Sequence, residues 1–312
     1  MKPNILFMGT PAFAVPSLNI LTGHGYPIVG VVTQPDKPRG RGRKVVAPPV
    51  KDCAAALNIP VYQPDRVRDE GFLETFRGLA PDMVVLVAFG QILPLEIIAF
   101  PPLGCINVHP SLLPKYRGAA PMNWAIIEGE TTTGVTIMHM DEGLDSGDML
   151  LQEETAIGDH ETFDHLHDRL SEMGARLLVQ TLEGIVDGSA VRTPQDPSLV
   201  TMAPKITGET SRIDWERPAG EIVNLIRGLS SLPGAHTQFR GKKLKIFAAS
   251  LDATGAGETP GALFSREKEG TIGVAAQDGV VLIEELQLAG KKRMKAGDFL
   301  RGYRISPGDC LE

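Results

Sequence analysis

Two polar side chains stand at the end of an apolar run of the sequence. Asn107 and His109 belong to residues 105–109, and Pro110 follows them. Side chains alternate along a β-strand, so the amide and the imidazole point to the same side. Proline cannot continue a central strand, so we expect the strand to end here, where parallel sheets place ligands and reacting groups. The pair suits oxyanion support and proton transfer, and the alternative is that both side chains only cap a strand end.

A group of carboxylates follows a second apolar run, at residues 135–138. The loop after that run contains two glycines and four acids within eight residues: Asp141, Glu142, Asp145 and Asp148. The DxDxDG spacing of calcium loops is absent. We expect this loop at the carboxyl end of its strand, on the same edge of the sheet as Asn107 and His109. An Asp beside a His and an Asn completes a set for proton transfer with oxyanion support.

Other motifs argue against several kinds of site. A dinucleotide fingerprint needs GxGxxG, but Pro11 takes the second glycine position after Gly9, so we expect no nicotinamide or flavin cofactor. The sequence contains no GxxxxGKS or GxxxxGKT phosphate loop. His160 and His165 are five residues apart, about 140° around a helix, which does not fit the HExxH metal motif. We therefore expect no metal.

The first half of the chain predicts the scaffold for these groups. Short apolar runs alternate with segments of helical period, which indicates an α/β domain with a doubly wound, mostly parallel, Rossmann-like sheet. The predicted strands are 5–8, 28–32, 83–88, 105–108 and 135–138, and the predicted helices are 12–21, 50–57, 69–79, 120–128 and 163–186.

The character of the sequence changes near residue 187. Turn-forming residues dominate 187–205, and one amphipathic helix at 219–229 then precedes short strands separated by glycines. Such strand spacing predicts a small OB-like β-barrel. We predict a catalytic domain at 1–188 with a basic insertion loop at 34–49, a linker at 189–207 and a barrel domain at 208–312.

Charge is unevenly distributed along the 312 residues. The formal net charge of −7 excludes a uniformly basic nucleic-acid coat protein. Residues 208–312 carry a net charge of +1, and the preceding residues carry −8. Five cations nevertheless fall within residues 37–44, and two more basic clusters surround Lys243 and Lys292. Three such clusters on an acidic chain favour a polyanion bound at defined places over a merely solvated surface.

The sequence also bears on the compartment. The first apolar run ends at Gly9, which is too short for a secretory signal, and no stretch reaches the ~20 apolar residues of a membrane span. The three cysteines form no CxxC pair and no disulfide framework, which suits a reducing cytosol. We expect a cytoplasmic protein without a cleaved targeting segment.

Segments along essentially the whole chain match the motifs of one family. They are FMGTPAF (7–13), TQPDKP (33–38), AFGQILP (88–94), GCINVHPSLLP (104–114), RGAAP (117–121), GVTIM (134–138) and GLDSGD (143–148). In these segments the chain resembles the folate-dependent formyltransferases, and among them the methionyl-tRNA formyltransferases. The Asn, His and Asp set with SLLP is shared by the wider family, whereas the basic loop and the second domain point to tRNA. The family often has glycine where this chain has Pro110, a small variation in the turn.

The resemblance implies a reaction and the residues that perform it. A formyl group moves from N10 of the co-substrate 10-formyltetrahydrofolate to the α-amine of methionine on initiator tRNA, through a tetrahedral intermediate. Asn107 would donate to the oxyanion. His109 would either share that role when charged or move the amine proton. Asp145 would orient His109 and raise its basicity, or accept the proton through water.

The resemblance also implies binding residues. It places the folate along Ser111, Leu112, Leu113 and Pro114, with the pterin near Phe89, Gly90, Gln91 and Ile92 and near the loop of Asp141 and Glu142. It places the tRNA on Arg39, Arg41, Arg43 and Lys44, in a glycine-bearing loop that orders on binding, and on Lys205 in the linker. We further expect a monomer in the bacterial cytoplasm, without a membrane partner.

Two other functions fit part of the sequence. A formyltransferase acting on glycinamide ribonucleotide or on a sugar amine would share Asn107, His109 and Asp145, but it has no evident need for the basic loop. The non-enzymatic alternative is a tRNA-binding module with an inactive α/β domain. The presence of all three catalytic residue types argues against that alternative.

Overall fold

The computed structural model describes residues 1–39, 44–252, 258–266, 270–306 and 308–312. The chain forms two compact units. Unit 1 comprises Met1–Gly118, Thr132–Ala156 and His167–Ala203. Unit 2 comprises Ala119–Thr131, Ile157–Leu166 and Pro204–Glu312. Both units are therefore assembled from separate stretches of the sequence.

Strands and helices alternate through unit 1, and strands dominate unit 2. The strands are β1 (Ile5–Gly9), β2 (Ile28–Val32), β3 (Lys37–Arg39), β4 (Lys44–Val46), β5 (Val61–Tyr62), β6 (Met83–Val87), β7 (Cys105–His109), β8 (Arg117–Gly118), β9 (Thr132–His139), β10 (Met149–Ala156), β11 (Met202–Ala203), β12 (Ala235–Phe239), β13 (Lys242–Asp252), β14 (Leu263–Arg266), β15 (Thr271–Ala275), β16 (Val280–Leu288) and β17 (Met294–Lys295).

Six of the helices in the described residues match the helices predicted from the sequence, whereas the short helices at 95–98 and 296–302 were not predicted. The helices are α1 (Val15–Gly23), α2 (Pro49–Ala56), α3 (Glu70–Leu79), α4 (Leu95–Ile98), α5 (Pro121–Ile127), α6 (Phe163–Asp187), α7 (Ala219–Gly228) and α8 (Ala296–Gly302), with 3-10 turns at Ala12–Ala14 and Pro197–Leu199. The helix predicted at 12–21 begins as a 3-10 turn because Pro16 has no N–H and fits only the first turn of an α-helix. In the part of the chain that is described, no helix is both long and apolar enough to cross a membrane.

A seven-stranded sheet forms the centre of unit 1, as far as the described residues show. Its order is β10-β9-β7-β6-β1-β2-β5. The five strands from β7 to β5 pair in parallel, whereas β9 and β10 are antiparallel to their neighbours. Every residue of β1, β6 and β7 is buried, as expected for strands covered on both faces. The prediction of a doubly wound, mostly parallel sheet is confirmed.

Helix α6 lies very close to the strand that carries Asn107 and His109. A Cβ atom on Gly174 of α6 would stand only 2.8 Å from Val108 Cγ1 and 3.4 Å from Val135 Cγ1. Ser171, one turn earlier, donates a hydrogen bond of 2.7 Å to the carbonyl oxygen of Phe13. Helix α6 therefore packs directly against β7, and the space between them has no room for a side chain at position 174.

Unit 2 contains an antiparallel sheet that closes on itself. Its order is β12-β13-β16-β15-β14, with β17 paired to β16. Residues 310 and 311 join the two edge strands, because Leu311 bridges to Phe239 and Cys310 bridges to Ala262. The interior is apolar and includes Ile246, Val274 and Ile283. This sheet is the barrel-like second domain expected from the glycine-separated strands.

The grouping of segments differs from the boundaries predicted at 188 and 208. Residues 189–203 of the predicted linker belong to unit 1, where β11 pairs in parallel with β8. Residues 119–131 and 157–166, predicted within the first domain, belong to unit 2. The turn-forming composition of 189–203 led to the prediction of a linker. Strand β11 was not predicted because a two-residue strand is too short to show a periodic pattern in the sequence.

The close approach of α6 predicts opposite effects of one substitution at two helical glycines. Gly174→Ala is expected to lower the free energy of unfolding by about 1–3 kcal/mol, because the new methyl group overlaps Val108. Gly78→Ala in α3, where nothing lies within 4 Å, is expected to raise it by up to about 1 kcal/mol. Urea unfolding of the full chain measures both, and equal effects of the two substitutions would contradict the packing argument.

Candidate active site

Asn107 and His109 lie on one side of β7, two residues apart. Leu86 of β6 pairs with Asn107, and Thr136 of β9 pairs with His109. Asn107 is 6% exposed and His109 is 4% exposed. A buried amide or imidazole is costly unless it is hydrogen-bonded, so the partners of these two groups define the site.

The carboxylate of Asp145 meets both side chains. Asn107 Nδ2 donates to Asp145 Oδ1 over 3.4 Å, and His109 Nδ1 stands 3.7 Å from Asp145 Oδ2. The main-chain N–H of Gly118 also donates to Oδ2, over 2.9 Å. The side chain of Asp145 is 14% exposed, so it is shielded but still open to solvent. The structure therefore brings together the three residues predicted as catalytic.

The loop that carries Asp145 approaches Asn107 and His109 from a strand that runs in a different direction from the one expected. In the antiparallel pairing of β7 and β9, Ile106 is opposite His139, so β9 ends beside the beginning of β7. The expectation that both strands end at the same edge of the sheet is wrong. A parallel connection needs a crossover helix on the sheet, but α5, the helix between the two strands, belongs to unit 2 and packs on α7. The loop after β9 instead turns back, and Asp145 takes a left-handed conformation with φ of 48°.

His139 lies at the base of that loop as a second neutral imidazole. Its main-chain N–H donates to the carbonyl oxygen of Asp148 over 2.9 Å, which closes the loop. Burial lowers the pKa of His139 to about 4; the charge of Arg192 lowers it too, and that of Asp148 opposes the shift. A Cβ on Gly147 would collide with the His139 carbonyl oxygen, so this glycine permits the tight return of the chain.

The hydrogen bonds of His109 define its tautomer. Nε2 lies 3.0 Å from the carbonyl oxygen of Tyr116, which can only accept, so Nε2 carries the hydrogen. The lone pair of Nδ1 then faces Asp145 Oδ2. Burial lowers the pKa of His109 below its ordinary value, although the Asp145 carboxylate and the Tyr116 carbonyl act in the opposite direction. The neutral ring and the carboxylate thus form a site that can take up one proton.

The predicted folate segment after β7 is held through its main chain. Thr136 Oγ1 donates to the Ser111 carbonyl oxygen over 2.7 Å and accepts from the Leu113 N–H over 3.1 Å. Gln152 Nε2 donates to the Leu113 carbonyl oxygen over 2.7 Å. Ser111 and Leu113 are buried, and Leu112 and Pro114 are half-buried. The segment is therefore fixed in place beside the catalytic strand.

The second predicted folate segment is divided between the core and the surface. Phe89 is buried among the apolar residues of the sheet, which is a core position. Gly90 is exposed, with a positive φ of 87°. Gln91 Oε1 accepts from the Val67 N–H over 3.0 Å, and Ile92 is 92% exposed. The exposed side chain of Ile92 and the main chain around it remain able to contact a ligand.

A cavity of about 420 Å³ lies beside Gln91 and Ile92. Arg66 and Arg68 also line it, and sequence reasoning missed both. The sequence gave little indication of their role, because two arginines in the sequence RVR look like ordinary solvent-exposed arginines. An apolar wall with two guanidinium groups suits a ligand that has a flat ring at one end and carboxylates at the other.

The acidic residues of the loop have different roles. Asp141 Oδ1 accepts from the Gly143 N–H over 3.0 Å and from Ser146 Oγ over 2.7 Å. Asp141 therefore shapes the loop that carries Asp145, whereas Glu142 is exposed. Across the described ranges, no three His, Cys, Asp or Glu side chains are arranged to hold a metal ion.

The predicted tRNA-binding cations are only partly described. Arg41 and Arg43 lie outside the described residues. The backbones of Arg39 and Lys44 pair with each other at the end of the β3-β4 hairpin. At the base of this hairpin, Asp36 accepts hydrogen bonds from Lys51 and from Gln63, each of 2.8 Å. Lys205 is exposed in unit 2.

The contact of His109 with Asp145 predicts how the imidazole titrates. Asp145→Asn removes the charge that favours the protonated ring, so the pKa of His109 should fall further below its ordinary value. Histidine NMR titration of the full-length protein measures this pKa. A rise in the pKa of His109, or no change, would contradict the geometry of the pair.

Two family models match the chain. The model described as formyl transferase matches residues 1–182, and the model described as formyl transferase, C-terminal domain, matches residues 205–304. The methionyl-tRNA formyltransferase of Syntrophus aciditrophicus is 53% identical over 310 residues, which cover 99% of each chain.

Solved structures share the fold at lower sequence identity. HypX from Aquifex aeolicus, in complex with tetrahydrofolic acid, has a TM-score of 0.68 and 20% identity, over 98% of this chain and 49% of HypX. The N-formyltransferase from Helicobacter canadensis, in complex with folinic acid and dTDP-3-aminofucose, has a TM-score of 0.66 and 18% identity, over 94% of this chain and 100% of that one. On the family models and the identity to its relative, this chain belongs to the formyl transferase family, among the methionyl-tRNA formyltransferases.

Proposed function

We propose that the site of Asn107, His109 and Asp145 transfers the formyl group of 10-formyltetrahydrofolate to the α-amine of methionyl initiator tRNA. The observation that carries this proposal is the buried, neutral imidazole of His109, whose free Nδ1 faces the Asp145 carboxylate beside an amide donor. Membership of the methionyl-tRNA formyltransferases supplies the two substrates. The reaction is a direct transfer through a tetrahedral intermediate.

The first step needs a donor for the developing oxyanion. The amine nitrogen attacks the formyl carbon, the C–N bond forms, and the carbonyl electrons move to oxygen. Asn107 Nδ2 has only a long contact of 3.4 Å to Asp145, so it can turn one N–H to the oxyanion at little cost. Because the amide lies in a buried site, this hydrogen bond is stronger than it would be in water.

The second step moves one proton and restores the site. The attacking nitrogen becomes positively charged and must lose a proton, while N10 of the folate must gain one before the C–N10 bond breaks. His109 Nδ1 takes up the proton, directly or through water, and Asp145 stabilises the imidazolium. The same proton then passes to N10. The pair ends as it began, with a neutral His109.

The folate lies along the segment 111–114, with its pterin at the exposed surface of Gln91 and Ile92. The cavity there is of the size that small ligands occupy. Asp141 acts indirectly, through the shape of the loop. Phe89 acts from the core, where it supports Gly90 and Gln91.

The tRNA is held by cations at separate places on an acidic chain. The basic residues Arg39, Arg41, Arg43 and Lys44 contact the acceptor end, and Lys205 and the basic clusters of unit 2 hold phosphates. The chain acts as a monomer in the bacterial cytoplasm. Its first domain carries out catalysis, and its second domain binds tRNA.

Loss of either catalytic side chain should strongly slow formyl transfer while the protein still folds. Asn107→Ala removes the oxyanion donor and should lower kcat by about a hundredfold or more. His109→Gln removes the proton site and should lower it at least as much. Asn19→Ala, which removes an exposed amide of α1, is the matched control and should be active. Labelled 10-formyltetrahydrofolate with methionyl-tRNA, glycinamide ribonucleotide or an amino sugar nucleotide measures transfer, and transfer only to the last two would overturn the proposal.

Removal of the loop cations should weaken tRNA use and its dependence on salt. Replacing Arg39, Arg41 and Arg43 together by Ala should raise KM for tRNA and reduce the slope of log affinity against log salt by up to about 3, because each phosphate contact contributes about one. Arg77→Ala removes a cation of α3 that pairs with Glu70, and it should leave the slope unchanged. An unchanged slope in the triple variant would contradict the role of the loop.

A further inference from the structure

Gln195 joins the catalytic loop to the strand beside it. Its Nε2 donates to the carbonyl oxygens of Asp145 and Gly147, over 2.8 Å in each case. Its Oε1 accepts from Nε and from a terminal nitrogen of Arg117, over 3.0 and 2.8 Å. The residue lies in the linker that the sequence predicts at 189–207, so the composition gave no indication of its role.

The four hydrogen bonds allow only one orientation of the Gln195 amide. Its NH₂ group has two hydrogens and both are used, and both lone pairs of its oxygen are used as well. A reversed amide would set an oxygen against two carbonyl oxygens and an NH₂ group against the Arg117 guanidinium. The side chain is therefore a rigid link between Arg117 of β8 and the backbone of the loop.

Asp145 needs such a link because its backbone is strained. It is a non-glycine residue with φ of 48°, a conformation that persists only where surrounding contacts hold it. Its carboxylate is held by the Gly118 N–H, and its carbonyl oxygen is held by Gln195. A Cβ on Gly118 would stand 2.7 Å from the Ala203 carbonyl oxygen, so β11 fixes Gly118 in turn.

We infer that Gln195 is a positioning residue for formyl transfer, which acts by holding the Asp145 carboxylate against His109 and Asn107. Gln195 and β11 thus belong to the catalytic apparatus: Gln195 holds the loop, and β11 holds β8. The inference rests on the proposed function, and it adds a residue that touches neither substrate. Without Gln195 the loop loses two of its hydrogen bonds, and Asp145 can leave the left-handed conformation.

This role predicts a specific change in the titration of His109. The charged or polar groups against its ring are the Asp145 carboxylate on the loop and the Tyr116 carbonyl before β8, while Arg117 is directed to Gln195. When the carboxylate moves away, the protonated ring loses its partner. The pKa of His109 then falls, in the same direction as in Asp145→Asn.

The test compares Gln195→Ala and Gln195→Glu with Ser198→Ala in the full-length protein. Gln195→Glu keeps the length and the acceptor for Arg117, but it faces the two carbonyl oxygens without a donor. Ser198→Ala removes a hydrogen bond to Asp196 in the same segment and leaves Asp145 untouched. We expect both Gln195 variants to lose about 10–100-fold in kcat, with KM for folate little changed, and Ser198→Ala to match the parent.

Histidine NMR titration supplies a readout that does not need substrate. The pKa of His109 should fall in both Gln195 variants and stay unchanged in Ser198→Ala. Parent-like kcat and an unchanged pKa in the Gln195 variants would overturn the inference. If they do not fold, Arg117→Ala gives the same test from the other end of the link. If the parent transfers no formyl group to methionyl-tRNA, the proposed function fails, but the titration still decides the position of Asp145.

Discussion

Burial keeps the His109 imidazole neutral, and the different partners of its two ring nitrogens decide which nitrogen carries the hydrogen. The Tyr116 carbonyl fixes the hydrogen on Nε2, and the free lone pair of Nδ1 is then left opposite a carboxylate. Both partners stand on strained backbone, with φ of 63° at Tyr116 and 48° at Asp145. Such conformations cost of order 1–3 kcal/mol each and persist only where neighbouring structure enforces them. β8, β11 and the loop after β9 supply these contacts, so several elements of unit 1 outside the parallel sheet hold His109 Nδ1 and Asp145 Oδ2 close to each other.

The sequence was most informative where side-chain alternation and burial act together. Asn107 and His109 share a side of β7 because the strand has a period of two, and their position before Pro110 indicated a strand end. Asp145 was grouped with them correctly, but the argument from strand ends was wrong. A local pattern does not reveal to which unit the helix between two strands belongs, and α5 belongs to unit 2.

The sequence did not predict the roles of some other residues, because those residues contact parts of the chain that are distant in sequence. Gln195 lies among prolines and polar residues that look like a connector, and only the fold brings its amide to the loop fifty residues earlier in the chain. Phe89, predicted at the pterin, lies two residues after β6, and its side chain packs in the core. Arg66 and Arg68 become candidate binding residues only once the fold shows that they line a cavity.

The membership of α5 in unit 2 constrains how the chain folds and how it can be divided. Asn123 of α5 donates a hydrogen bond of 2.8 Å to the carbonyl oxygen of Gly228, and a Cβ on Gly228 would lie 2.8 Å from Ile127. Helix α5 is synthesised long before α7. Its apolar side chains therefore stay exposed to solvent until the ribosome has synthesised α7. A fragment cut at residue 204 would likewise leave α7 without its partner. The division of the chain between the two matched family models thus differs from its division into compact units, because residues 119–131 and 157–166 lie within the first model but belong to unit 2.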